Sequence, residues 1–487
     1  MKTACKFIVP ALLLAGCAAV QPPPPYQRPD LGLTPADTFA AAPGEPTQPT
    51  SADLLWWRRF DDPAMTQWVE QALAGNLEVA AAFERVEQAQ ALLRRASAER
   101  GPVLGARGQI GVNRRSGGAG RTSGTSGSAG TTTGGVQTNG ATAGAGLSIE
   151  WNADLWGGLR QAEASAAASL LRSEDLAQAA RLATAGTAAR GYIEWREAQN
   201  EWQVLEQTLR LREDMVRLVR VRVDVGLSPA IDLTRAQADL AAVQAERDAA
   251  AGRARQAEVA LHVLAGRRPS ATTPLPQADA RIPDLAGVVP VPRPVDLLRL
   301  RPDVRAAERA LIAAYADVGV ARAALYPTLR LPGDLLVTAA GLGTGSIVQS
   351  VTASLGAILD ATLIDGGRRA ADVDAARSRA REAALVYERT VLEALEQVES
   401  ALIARETITS ELQARRAAAE TATQALEQAR AMYTEGLAGF ADVLEAQRTW
   451  LANRLEFTRG EAAAARAAIA SFEAIGVVDP GQMRAPA

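Results

Sequence analysis

The sequence predicts a membrane α+β fold in which each chain supplies a few barrel strands and two very long helical hairpins. Three observations point there. One plan occurs twice at an offset of about 210 residues. Each copy holds a helical run too long for any globular core, and ahead of each run about a dozen residues alternate apolar and polar side chains.

Bulk composition removes several function classes. A chain of 487 residues suits two or three ordinary domains or one elongated architecture. The net charge of -3 gives no electrostatic case for a nucleic-acid partner. Lysine occurs only at Lys2 and Lys6, a codon-bias effect that leaves no P-loop lysine and no Schiff-base lysine. The cysteines are Cys5 and Cys17 and the histidine is His262, so a metal site would have to be all-carboxylate. His262 sits in the run RARQAEVALHVLAG and reads as a helix-face residue. There is no G-x-S-x-G elbow and no Walker loop. No enzyme, no cofactor and no metal is predicted.

Residues 1–16 read as a signal peptide. Lys2 and Lys6 form its positive end, and Phe7 to Leu14 form an apolar stretch too short to span a bilayer. It ends in Leu14-Ala15-Gly16-Cys17, which resembles a bacterial lipobox and makes Cys17 the expected acylated first residue. Ala18 follows, where an aspartate would signal inner-membrane retention. The alternative is a secreted protein with a chance cysteine. Gln21 to Thr50, rich in proline, alanine and threonine, reads as an extended tether.

The repeat comes next. Val225-Gly226-Leu227 leads into Ala230-Ile231-Asp232-Leu233, and Glu435-Gly436-Leu437 leads into Phe440-Ala441-Asp442-Val443, both glycine and aspartate recurring after 210 positions. Upstream, Gly157-Gly158-Leu159-Arg160 matches Gly366-Gly367-Arg368-Arg369 at an offset of 209. Each copy runs helix, strand, strand, long helix, tight turn, helix. Gly158 to Val225 contains no proline, and a helix of about 65 residues would be roughly 100 Å long. Gly226 and Pro229 break it, and a second helix returns to about Ala265. The later copy runs from Arg368 to Tyr433 and returns to about Ile475. Such hairpins must pack along one another as coiled coils, where small alanines permit close approach.

The strands follow a period of two. Ala145, Leu147, Ile149, Trp151, Ala153 and Leu155 alternate with polar or small residues, as do Val351, Ala353, Leu355, Ala357, Leu359, Ala361 and Leu363. Lipid on one face and water on the other explains that pattern; a soluble sheet packed on helices is the alternative. Their partners are expected near Val103–Asn113 and Thr328–Val337, the latter weakened by Pro332. Glycine-rich loops, Arg114 to Ala143 and Ala339 to Gln349, join the pairs. The predicted plan is therefore leader 1–16, tether 17–52, first repeat 53–265, linker 266–294, second repeat 295–476 and tail 477–487.

Four strands cannot close a barrel, and open edges are not tolerated in lipid. Two chains would give eight strands and three would give twelve; small polar inner faces favour the wider bore, but physics leaves both open.

Three segments carry a family resemblance: Trp56-Trp57-Arg58-Arg59-Phe60-Asp61-Asp62-Pro63, LLRLRPDVRAAERAL from Leu297 to Leu311 followed by VGVARAALYPTL to Leu329, and YTEGLAGFADVLEAQRTWL from Tyr433 to Leu451. They resemble TolC-like outer-membrane factors, and with the lipobox, the lipoprotein branch that serves resistance-nodulation-division efflux pumps. The resemblance implies a homotrimer with a twelve-stranded β-barrel, four strands per chain, continued by a long periplasmic α-helical barrel. It also implies a periplasmic adaptor and an inner-membrane pump as partners, alongside outer-membrane lipid. Acids matching Asp442 and Glu445 ring the periplasmic entrance of such channels, although helix-terminal acids are also favoured by the helix dipole. Tyr433 and Asp232 match a pair that tethers neighbouring hairpins, while Ala438 and Ile231 replace a second tether. Adaptor docking is expected at the tips, Gly226, Leu227, Ser228, Gly436, Leu437 and Ala438. A protein-secretion conduit and a pore-free coiled-coil envelope lipoprotein are the rivals.

Overall fold

The computed structural model describes residues 26–42, 45–51, 53–113, 140–269, 281–285, 287–341 and 347–477. The expected signal peptide, Cys17, the glycine-rich stretch 114–139, part of the linker and the tail beyond residue 477 lie outside the described residues. The chain forms two compact units. The described residues of Gln90–Ser169 and Ile312–Glu382 build one; those of Arg28–Ala89, Leu170–Leu311 and 383–477 build the other.

The first unit holds the sheet: β1 (Val103–Asn113), β2 (Gly140–Ala153), β3 (Thr328–Gly341), β4 (Ile347–Leu355) and β5 (Ile358–Asp360). Strand order is β1-β2-β3-β4, all neighbours antiparallel, with β5 also on β3. The two expected strand hairpins therefore fuse into one sheet through β2 and β3, where Leu147 lies opposite Leu335. Paired residues share a face, so register decides what each face presents. One face collects Leu104, Ile110, Val112, Leu147, Ile149, Trp151, Leu335, Val337, Val351 and Leu355. The other collects Arg107, Gln109, Thr142, Ser148, Glu150, Arg330, Asp334, Thr338, Ser350, Thr352 and Ser354, with Val103, Leu336 and Val348 among them. On that polar face Thr338 and Ser350 hydrogen-bond at 2.7 Å, and Arg330 pairs with Asp360 at 2.6 Å.

The second alternating segment is not one strand. β4 ends at Leu355 and β5 begins at Ile358. Pro332 explains the gap: its carbonyl accepts from the Gly356 N–H at 2.8 Å, so it faces β4, but it has no N–H to return. The register resumes unchanged beyond it, with Leu329 opposite Leu359. Residues 361–364, expected to continue the strand, lie outside it. At the helical end of β2, Trp151 donates to the Arg100 carbonyl at 3.0 Å, and Trp156 stacks on Tyr326 at 4.9 Å.

The longer helices are α1 (Pro63–Gly75), α2 (Leu77–Ala98), α3 (Gly158–Asp224), α4 (Ala230–Leu264), α5 (Pro302–Ala323), α6 (Arg368–Thr434) and α7 (Phe440–Ile475). Both long helices, α3 and α6, have 67 residues. No described helix is long and apolar enough to cross a membrane. Asp62 starts α1 by accepting from the Ala64 and Met65 N–H groups at 2.8 and 2.9 Å, with Pro63 at the first helical position.

The second unit is organised on a core where Trp56, Phe60, Met65 and Trp68 meet Ala188 and Ile193 of α3, Leu261 of α4, and Ile469 and Phe472 of α7. Trp56 stacks on Phe472 with centroids 5.6 Å apart; truncating one such aromatic costs about 3–5 kcal/mol. His262 is buried there, edge-on to Trp68. The Arg-Pro-Asp block has a packing role: Arg301 donates to the Ala474 carbonyl at 2.6 Å near the end of α7 and pairs with Asp303. The described part of the tether is extended but held. Arg28 makes two 2.8 Å bonds to Glu308, Phe39 is buried beside Leu297 and Val398, and Thr47 bonds Val291.

Candidate functional site

The tips of the two helical hairpins use one turn chemistry twice. Gly226 and Gly436 have φ of 76° and 75°, a left-handed conformation that costs glycine nothing. Behind them the Leu227 N–H reaches the Arg222 carbonyl at 2.7 Å, and the Leu437 N–H reaches Met432 at 2.8 Å. These six-to-one bonds close α3 and α6 in the same way. Gly226, Leu227, Gly436 and Leu437 are exposed, whereas Ser228 and Ala438 are half-buried. Beneath them Val216, Val219, Ala236, Tyr433, Phe440, Val443 and Leu444 pack the two hairpins together.

The repeat breaks down at the acids. Asp442 accepts from the Gly439 N–H at 2.9 Å and caps α7. Its counterpart Asp232 faces Pro229, which has no N–H to give. Asp442 therefore has a structural task that Asp232 lacks. Glu445 is exposed on the next turn, and among the described residues it has no ion-pair partner.

Tyr433 is buried, and among the described residues its hydroxyl has no hydrogen-bond partner, Asp232 included. What holds it is Arg222, which the sequence did not single out. The guanidinium lies 4.6 Å from the Tyr433 ring centroid and donates to the Tyr433 carbonyl at 2.9 Å. Arg222 on α3 thereby ties the first hairpin to the last turn of α6.

A set of charge pairs farther from the tips was also missed. Arg190 pairs with Glu473, Glu197 with Arg466 at 2.6 Å, and Glu201 with Arg253 at 2.6 Å and Arg459 at 2.9 Å. Asp239 pairs with Arg212 at 2.9 Å and Arg448 at 3.1 Å. Arg459, Arg466 and Glu473 recur every seven residues, a heptad signal that could have found the stripe. A cleft of about 980 Å³ opens between α3, α4 and α7, and each of its lining arginines, Arg190, Arg253, Arg459 and Arg466, already has a carboxylate. Burial holds the Arg212 guanidinium below its usual range, an effect that Asp239 opposes.

Among the described residues the sheet has one mostly apolar and one mostly polar face and ends on β1 and β4, and the helical hairpins pack in pairs. The chain belongs to the outer membrane efflux protein family, whose model matches residues 68–267 and 294–477. It is 30% identical over 468 residues to outer membrane protein OprJ of Pseudomonas aeruginosa, covering 96% of this chain and 94% of that protein. It is 29% identical over 440 residues to nodulation protein T of Rhizobium leguminosarum bv. trifolii, covering 90% of each. The structure of the outer-membrane channel OprN superposes with a TM-score of 0.80 at 29% identity, over 93% of this chain and 98% of that one. The protein is the outer-membrane channel component of an efflux system, residing in the outer membrane and reaching into the periplasm.

Proposed function

We propose that three copies join edge to edge into a twelve-stranded barrel, acylated at Cys17, that serves as a passive exit duct for small toxic compounds. The observation that carries this reading is the open-edged sheet. Ile110 and Val112 on β1 and Leu355 on β4 are 88, 77 and 85% exposed, against 41 and 45% for Ile149 and Leu335 on the inner strands. Edges so bare, with backbone groups that lipid cannot satisfy, call for strands from other copies.

In this reading the exposed tip residues Leu227 and Leu437 meet a periplasmic adaptor, which links the duct to an inner-membrane resistance-nodulation-division pump. Asp442 and Glu445 from each copy form a carboxylate ring at the entrance, attracting cations and repelling one another. Arg222 on Tyr433 holds each second hairpin in its closed position. The protein supplies a wet path and performs no chemistry.

Two measurements test this together. Reconstituted protein should give stepwise single-channel currents in planar bilayers, and a strain lacking the protein should retain a fluorescent dye that the parent expels. Silent bilayers with unchanged dye retention would remove the duct reading.

A further inference from the structure

The charge pairs along α7 stop at a definite level. Passing from the tryptophan core towards the tips, Glu473, Arg466, Arg459 and Arg448 of α7 each meet an opposite charge on the first hairpin. Asp239 is the last such point. It is 6% exposed and Glu201 is 5% exposed, and each of these carboxylates is shared by two arginines on different helices. Asp239 therefore binds α3, through Arg212, and α7, through Arg448, to its own helix α4.

Beyond Asp239 the contact that α7 itself makes changes character, the Arg222 tie lying on α6. Phe440, Val443 and Leu444 of α7 lie on Val216, Val219 and Ala236 of the first hairpin, and among the described residues no ion pair joins them. Apolar surfaces can slide or reseat with little directional penalty, whereas a buried ion pair has one good geometry and leaves an uncompensated charge when broken. Arg212 has little to fall back on, since its Nε already faces Asp239 Oδ2 at 2.9 Å and its Nη1 has no hydrogen-bond partner among the described residues.

We propose that Asp239 is the positioning residue that ends the clamped part of α7 and so fixes where the movable tip of the second hairpin begins. This rests on reading the tips as the entrance of a duct. With Asp239 in place the tip swings from that level and returns to a defined closed position. Without it α7 is free from the Glu201 level onward, and the entrance widens.

Single-channel recording on the full-length reconstituted protein tests this, with thermal unfolding measured in parallel. Asp239→Asn should raise the mean current several-fold with unchanged cation selectivity, because the entrance carboxylates are untouched. Arg448→Gln removes only the 59% exposed α7 end of the link, and should raise the current in the same direction without threatening the fold. Glu201→Gln breaks an equally buried pair higher up; it should lower the unfolding temperature comparably yet leave the current at the wild-type level. Conducting wild type with Asp239→Asn and Arg448→Gln at its level would overturn this inference alone, as would an equal rise from Glu201→Gln. A wild type without current would overturn the duct reading and this inference with it.

Discussion

Replacing Arg222 by alanine removes its hydrogen bond and its cation–π contact to the last turn of α6, leaving only apolar packing on α3 there. A hydrogen bond from a charged donor contributes about 1.5–3 kcal/mol, and a cation–π contact of intermediate exposure adds roughly 1 kcal/mol. Arg222 is half-buried, so solvent in the opened state recovers part of this, leaving about 2 kcal/mol per chain. At about 1.4 kcal/mol per factor of ten, the ratio of closed to open tips falls roughly thirtyfold for each chain. Single-channel recording should show Arg222→Ala open for most of the trace where the wild type is mostly shut. Arg222→Lys should fall between, since an ammonium keeps the charge but not the flat face that lies on the ring. Tyr433→Phe should behave as wild type, because ring and carbonyl survive and the hydroxyl has no partner in the chain. An unchanged open fraction in Arg222→Ala, or full opening in Tyr433→Phe, would refute this account of how the entrance is held.

Other expectations are narrower. Asp442→Ala with Glu445→Ala should raise conductance and reduce cation selectivity, read from the reversal potential in a salt gradient; unchanged currents would take both residues out of the entrance. Asp442→Ala should cost about 1 kcal/mol at the start of α7, seen as roughly fivefold faster amide exchange in its first turn. Asp232→Ala should speed exchange in the first turn of α4 less, because Pro229 gives it no N–H to cap and only its interaction with the helix dipole is lost. Mass spectrometry of membrane-extracted protein should find acyl chains on Cys17, lost in Cys17→Ala; an unacylated wild type would contradict the lipid anchor.

Local signals in the sequence located most of the elements. β1 covers Val103–Asn113, where a hairpin partner for the alternating segment was expected, and α7 ends at Ile475, where Gly476 adopts φ of 80°. Long helices were legible because nothing in 67 residues interrupts them and glycine stops both. What escaped depends on partners far away in the chain. The β2–β3 pairing joins residues nearly 190 positions apart, such as Leu147 and Leu335, and alternation within a strand says nothing of its neighbour. Pro332 was noticed, but only the strand register showed that its missing donor faces β4 and splits β5 away. At the tips, the repeat placed Asp232 and Asp442 correctly yet suggested they were equivalent. The difference lies three residues upstream, in Pro229 against Gly439. Arg222 was overlooked because one arginine among many on a helix carries no mark until Tyr433 is seen beneath it.

Counting chains tests the central claim most directly. Native mass spectrometry of the protein released from detergent should give a complex of three chains, and the same preparation should carry ion currents in planar bilayers. A stable single chain that conducts nothing would mean that the bare edges of β1 and β4 are satisfied in some other way, and that no duct is formed.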